Sequence, residues 1–389
     1  MTRLTEGLIS KSECSKLEIV GVYFFWTAFL FELVYMVFRK CDYYLPQERI
    51  WIYGLVVCYL VKIACTKYTR NEWIAIIILL GISAMALLVS GNDSYFRILV
   101  FVIASKGIKR DAVFQGMWMS FFLMFLCVSG RCLLGISGTL GETMDYGRGG
   151  IETRYRFGFS HANQLHYYLF CLTAIYLWVN RKHVDWKNYV VLTCGNIYLF
   201  YLTHSRTGAG IIFLVILGFA LMQYSYRLRE SRWIYFMGYL LEGIVLLSSI
   251  LAVSIDFESN LYLNKIDSLL TGRMHWAWYN LNELTPQLFS SRTDLGPVDM
   301  GIVRQAYGNG IAFVVLYAIA VIGLIYYSER EKTWADFIML CAVICYTLIE
   351  SNPATNPFPS QLLLCGLLVD RWYCLFQPKQ NDRTENGYE

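Results

Sequence analysis

The chain has 389 residues, of which 56% are hydrophobic and only 16% are charged. Soluble globular domains carry about 25% charged residues, so this composition excludes an ordinary soluble domain and indicates a membrane protein. The net charge of +4 is modest and the basic residues are spread over many loops, which argues against nucleic acid as a partner.

Long apolar stretches recur along the whole chain, and a hydrocarbon core takes about 20 such residues per helical crossing. These continuous runs lack the alternation of barrel strands. The sequence therefore predicts an all-α polytopic membrane protein that forms a single multi-pass domain over residues 1–389. The twelve predicted transmembrane stretches are 17–38, 49–65, 73–90, 95–105, 112–135, 163–180, 188–204, 208–224, 235–254, 308–327, 335–350 and 358–376.

Basic loop residues predict the orientation, since Lys and Arg accumulate on the cytoplasmic side of membrane proteins. With both termini cytoplasmic, every inner segment is basic, whereas Arg39, Lys40 and Arg49 in the first outer loop are the exception. Two outer loops are long, residues 136–162 and 255–307. Because tight turns need no such length, we predict that these two extracytoplasmic loops carry the function.

The basic residues of the two long loops are almost all arginine. A guanidinium group presents a planar fork that matches phosphate oxygens, so this bias indicates anion binding. The alternative is ordinary ion pairing with acidic residues of the same loops. The arginines concerned are Arg148, Arg154, Arg156, Arg273, Arg292 and Arg304.

Signatures of cofactor binding are absent from the sequence, which has no H-E-x-x-H, no C-x-x-C pair, no P-loop and no G-x-G-x-x-G. We therefore predict neither a metal ion nor another cofactor. Any chemical activation has to come from the substrate itself.

Four short motifs lie in the predicted outer segments: R-Y-R-F-G-F-S-H-A-N at 154–163, T-H-S-R-T-G at 203–208, T-G-R at 271–273 followed by Trp276, and V-D-M-G at 298–301. In order and position they resemble the motifs of bacterial oligosaccharide repeat-unit polymerases of the Wzy type, and the S-R-T junction is shared with O-antigen ligases. Ala162 and Met300 depart from the polymerase pattern, which prefers Pro and Asn there. The ligases have a histidine where this chain has Asp299.

The resemblance implies a GT-C-like helical enzyme of the bacterial inner membrane. Such an enzyme polymerises undecaprenyl-diphosphate-linked oligosaccharides, as both donor and acceptor, into capsule or O-antigen polysaccharide on the outer face. Membrane lipids, and the flippase and chain-length regulator of the same pathway, would be its partners. Two alternatives remain: ligase-type transfer to another acceptor, and a non-enzymatic flippase or transporter of lipid-linked oligosaccharide.

The leaving group of this reaction is a lipid diphosphate, which takes up negative charge as the glycosidic bond breaks. Preorganised cations stabilise such charge without a metal. We predict that Arg206 and Arg273 converge on the diphosphate. The alternative for Arg206 is an interfacial arginine that extends to lipid headgroups, and for Arg273 a loop ion pair.

The attacking sugar hydroxyl needs a group that accepts or orients its proton. We predict Asp299 and His161 as catalytic groups, with His204 and Glu350 as further candidates for the base. A helix cap is the alternative for His161, and a helix-terminal bend for Glu350. The predicted substrate-binding residues are Arg154, Arg156, Asn163, His204 and Glu350.

The orientation can be tested by cysteine labelling in a background without the native cysteines. We expect a membrane-impermeant thiol reagent to label Gly150→Cys and Thr285→Cys from outside the cell. His183→Cys and Glu331→Cys should react only after the membrane is opened. Labelling of positions 150 and 183 from the same side would contradict the orientation.

Overall fold

The computed structural model describes residues 15–40, 47–145, 150–257, 259, 261–269, 272–350 and 362–373. A helix lies within or across each of the twelve predicted stretches. Of the last stretch, residues 358–361 and 374–376 lie outside the described residues, as do both chain termini.

The helices, numbered in chain order, are α1 (Lys16–Lys40), α2 (Glu48–Ala64), α3 (Arg70–Ser90), α4 (Ser94–Ala104), α5 (Arg110–Leu133), α6 (Ala162–Val179), α7 (Trp186–Thr203), α8 (Arg206–Tyr224), α9 (Tyr226–Glu230), α10 (Arg232–Ser254), α11 (Leu261–Leu269), α12 (Arg273–Leu281), α13 (Gly301–Gly308), α14 (Ile311–Arg330), α15 (Trp334–Ile349) and α16 (Leu362–Leu368). The strands are β1 (Gly141–Asp145) and β2 (Ile151–Tyr155).

Six of the described helices, α1, α3, α5, α8, α10 and α14, are long and apolar enough to cross a membrane. Two shorter apolar helices are Tyr95–Ala104 and Trp334–Leu348. Large apolar side chains such as Ile77, Leu88 and Ile250 are exposed on the outer surface of the bundle. An apolar exterior of this extent suits lipid rather than water. The chain therefore has the architecture of a helical multi-pass membrane protein.

Local sequence signals explain where individual helices begin and end. At the start of α3, the Thr69 hydroxyl accepts from the Glu72 backbone N–H at 3.4 Å. The Glu72 carboxylate in turn accepts from the Thr69 backbone N–H at 2.7 Å, which completes a capping box. Gly91 ends the same helix with a φ of 68°, a left-handed conformation that glycine adopts without strain.

The first long loop folds into a β-hairpin, although the sequence predicts an all-α protein. Strands β1 and β2 pair antiparallel, from Gly141 opposite Tyr155 to Asp145 opposite Ile151. Each strand has only five residues, and the polar sequence of β1 shows no apolar alternation. Residues 146–149 of this loop, which include Arg148, lie outside the described residues.

The second long loop is folded back onto the helical bundle. Apolar side chains of the loop, among them Phe257, Met274, Leu281 and Val298, form a separate buried cluster that includes Ala252 of α10. Two short helices, α12 and α13, supply much of this cluster. The loop is thus a packed unit with its own small core.

The tenth predicted stretch, 308–327, is divided in the structure: α13 ends at Gly308 and α14 begins at Ile311. Gly310 lies at the break with a φ of 107°, and a Cβ there would meet the Leu288 carbonyl oxygen at 2.5 Å. The second long loop thus approaches the backbone so closely that only glycine fits at position 310. This contact separates α13 from α14.

A second glycine accounts for the S-R-T-G junction between α7 and α8. A Cβ at Gly208 would lie 2.7 Å from the Cβ of His166 on α6. His166 is buried, and its Nδ1 lies 2.8 Å from the hydroxyl of Thr203 at the end of α7. Helices α6, α7 and α8 meet here at one end of the bundle.

Substitution of Gly208 tests this packing. We expect Gly208→Ala to lower the free energy of unfolding by about 1–3 kcal/mol, because an added methyl group overpacks the contact with His166. Gly210→Ala is the matched control, since nothing lies within 4 Å of a Cβ at Gly210 in the same helix. The measurement is thermal unfolding in detergent, and equal effects of the two substitutions would contradict the close contact.

Candidate functional site

A polar pocket of about 430 Å³ opens at the end of the bundle where α6 begins. The β-hairpin, the segment that starts α6, the loop before α13 and the residue that follows α15 contribute to its wall. Its volume lies within the range of about 300–1,000 Å³ that is usual for small-molecule sites. Six of the nine predicted site residues line it: Arg154, Arg156, His161, Asn163, Asp299 and Glu350.

Glu350 joins three distant parts of the chain. The Asn163 side-chain amide donates to Glu350 Oε1 at 3.0 Å, and Arg273 Nη2 donates to the same oxygen at 3.0 Å. Glu350 and Arg273 are both buried, so their ion pair is shielded from water. Helix α6, helix α12 and the end of α15 therefore meet at one carboxylate.

Burial raises the pKa of Glu350 to about 6. The Asp299 carboxylate raises it as well, whereas the charge and hydrogen bond of Arg273 and the hydrogen bond from Asn163 lower it. Because the folded-state pKa is above the ordinary value, Glu350 is ionised above about pH 6 and gains a proton below it. It is a carboxylate at neutral pH with a raised proton affinity.

Arg156 connects the hairpin to the start of α6. Its Nε donates to the Thr139 hydroxyl at 2.6 Å, and its Nη1 donates to the Ser160 carbonyl oxygen at 2.7 Å. The Glu142 carboxylate lies 3.2 Å from the same Nη1. Arg154 is buried and forms an ion pair at 3.1 Å with Glu152 of its own strand. The loop ion pairs considered as an alternative for these two arginines are therefore present.

His161 and Asp299 lie at the exposed edge of the pocket. His161 occupies the N-cap position of α6, but its side chain makes no capping hydrogen bond. Asp299 immediately precedes Met300, the N-cap residue of α13. Both side chains can contact a ligand.

The remaining three predicted residues do not line the pocket. Arg273 is buried and bonded to Glu350, so it lies behind the wall. Arg206 is the exposed first residue of α8. His204 ends α7 with a φ of 51° and acts as the turn residue of the junction. Neither Arg206 nor Arg273 lines the pocket, so the pocket does not bring these two arginines together around one diphosphate.

Several residues at the site were not among the predicted site residues. Glu142, one of the acidic loop residues that could pair with an arginine, lines the pocket together with Ser160, Gln164 and Pro297. Nothing in the sequence indicates a role for His166 except its position one helical turn beyond Asn163. A hairpin prediction would have brought Glu142 opposite Arg154, its partner in the register.

Most described residues of the pocket wall are polar, and they are not strongly cationic. They supply two guanidinium groups, three carboxylates and one imidazole. Guanidinium groups donate hydrogen bonds and carboxylates accept them, so the wall offers both partners that a hydroxyl group needs. Among the described residues, no three His, Cys, Asp or Glu side chains are close enough together to hold a metal ion.

Comparison with known protein families, with curated proteins and with solved structures finds no match to this chain. Functional inference therefore depends on the residues and their geometry.

Loss of Arg156 should loosen the hairpin. We expect Arg156→Ala to increase amide hydrogen exchange over β1 and β2, because the side chain holds Thr139, Glu142 and Ser160 together. Thr143→Ala is the control, since its hydroxyl meets only the exposed Thr153 hydroxyl across the strands. The same protection in wild type and Arg156→Ala would show that the hairpin is held by other contacts.

Proposed function

We propose that this protein is a membrane glycosyltransferase that joins undecaprenyl-diphosphate-linked oligosaccharide repeat units into a surface polysaccharide. The observation that carries the proposal is the polar pocket at the end of the apolar bundle, which gathers six residues predicted for this reaction. A reaction between a lipid-anchored donor and a polar acceptor needs such a pocket next to a membrane-embedded surface.

The charges of the pocket indicate that the acceptor sugar and the donor diphosphate bind at separate sites. The three carboxylates among the described wall residues would repel a diphosphate, whereas mixed hydrogen-bond donors and acceptors suit the hydroxyl groups of a sugar. We therefore assign the pocket to the acceptor sugar. His161, Asp299 and Glu350 are the groups there that can accept its proton.

The diphosphate of the donor is assigned to Arg206. Its guanidinium group is exposed at the start of the 19-residue helix α8, where backbone N–H groups also favour an anion. Gly208 packs on His166, three residues beyond the pocket residue Asn163. Arg206 is thus at the same end of the bundle as the pocket, next to the surface where a lipid tail would lie.

The outer face and the bacterial inner membrane are part of this proposal. They follow from the charge bias of the loops and from the resemblance in the motifs. In this orientation the pocket faces the side on which lipid-linked repeat units are polymerised.

The test is to incubate purified protein with lipid-linked repeat units and no other protein. We expect a ladder of products, each one repeat unit longer than the last, with release of lipid diphosphate. Transfer only to an added, different acceptor would identify a ligase instead. Movement of the intact lipid across vesicles without any new glycosidic bond would identify a transporter and overturn the proposal.

Arg206→Lys tests the assignment of the diphosphate. Lysine keeps the charge but loses the planar fork, so we expect ladder formation to fall by about 10²-fold, as when one preorganised electrostatic contact is removed. Arg227→Lys, an exposed arginine beyond the other end of the same helix, is the control and should keep wild-type activity. Near-wild-type activity of Arg206→Lys would show that this arginine serves only lipid headgroups.

A further inference from the structure

We propose that Glu350 is the general base of the reaction: its Oε2 accepts the proton of the attacking acceptor hydroxyl, while Arg273 and Asn163 hold the carboxylate in place. This inference rests on the proposed function, because it assigns a role within that reaction. Of the candidate bases predicted from the sequence, Glu350 is the group that accepts the proton.

The two oxygens of Glu350 have different surroundings. Both hydrogen bonds to the carboxylate, from Asn163 and from Arg273, end on Oε1. Among the described residues no donor is bonded to Oε2, and Glu350 lines the pocket. Oε1 is therefore held by two donors, whereas Oε2 has no donor among the described residues, and we assign Oε2 to the acceptor hydroxyl.

This arrangement distinguishes Glu350 from the other groups in the pocket that could accept a proton. Glu142 forms an ion pair with Arg156. His161 and Asp299 are exposed, and the structure shows no hydrogen bond that fixes either side chain to another described residue. A general base acts best when its position is fixed before the substrate arrives. Among the described carboxylates of the pocket wall, only Glu350 is both buried and oriented by two donors.

The described charged groups that pair with Glu350 or line the pocket with it come from several elements. Arg273 approaches from α12, Asp299 from the loop before α13, and Arg154 and Arg156 belong to the hairpin side of the pocket. His161 lies at the start of α6. Burial and Asp299 raise the pKa of Glu350 to about 6, against the lowering effect of Arg273. The result is a carboxylate that is ionised at neutral pH and more basic than an exposed glutamate.

The proton and the electrons balance without a further reactant. The acceptor oxygen forms a bond to the anomeric carbon as the bond from that carbon to the diphosphate oxygen breaks, and the electron pair leaves with the diphosphate. The proton of the acceptor hydroxyl passes to Glu350 Oε2, and water removes it after the product departs. Arg273 is a positioning residue that acts through Glu350.

The first measurement is the pH dependence of kcat/KM for ladder formation by the purified protein. We expect the wild-type rate to fall as the pH drops through about 6, because Glu350 gains a proton there. Asp299→Asn should move this fall to lower pH, since it removes a negative charge that raises the proton affinity of Glu350. His161→Gln should keep the fall in place. If kcat/KM of His161→Gln no longer decreased at acid pH, the histidine would be the base and the inference would be overturned.

The second measurement uses Glu350→Gln, which keeps the side-chain shape but cannot take the proton. We expect a loss of about 10²–10⁴-fold in kcat/KM, which is the usual contribution of general base catalysis, together with loss of the acid fall. Glu32→Gln is the matched control, because Glu32 is also a buried glutamate paired with an arginine, Arg97. Equal losses in the two variants would assign Glu350 a structural role.

Azide distinguishes loss of the base from damage to the site in Glu350→Gln. As an anion, azide attacks the anomeric carbon without first losing a proton. We expect azide to restore release of lipid diphosphate, as glycosyl azide, by Glu350→Gln and not to change the wild-type rate. No rescue in a variant that still binds the lipid-linked donor would overturn the inference. Absence of any ladder with wild-type protein would instead refute the proposed function, so the two failures are distinguishable.

Discussion

The buried carboxylate of Glu350 is the interaction on which the rest of the site depends. It accepts hydrogen bonds from Asn163 and Arg273, residues separated from it by 187 and 77 positions in sequence. Removal of one partner from a buried ion pair costs about 3–5 kcal/mol, since the other charge is left without compensation. The long loop that carries Arg273 is therefore coupled to the start of α6 and to the end of α15 through one side chain.

The surrounding architecture makes this polar junction possible in an apolar protein. The hairpin covers one side of the pocket through the contacts of Arg156, and the second long loop packs its own apolar cluster onto α10. Because Glu350 and Arg273 are buried, their charges interact more strongly than they would at a surface. A pocket lined by charged side chains can therefore lie at the end of an apolar helical bundle.

Short motifs and the chemistry of their side chains were enough to predict several residues that line one pocket. Arg154, Arg156 and Asn163 belong to one short motif, and they line the pocket with Asp299 and Glu350 from the far end of the chain. The positions of Arg206 and Arg273 were less accessible to such reasoning. Both were selected as cations, and only the fold shows that Arg273 is turned toward Glu350 whereas Arg206 is exposed at a helix start.

The sequence by itself determined the class of the protein and the positions of its long apolar helices, because both follow from runs of apolar residues that are local in the chain. The tertiary structure decided the hairpin, whose strands have five residues each and whose strand β1 shows no apolar alternation. It also decided the break at Gly310, which the approach of Leu288 imposes. It alone decided the partners of Glu350, since contacts between residues so distant in sequence depend on how the long loops pack against the bundle.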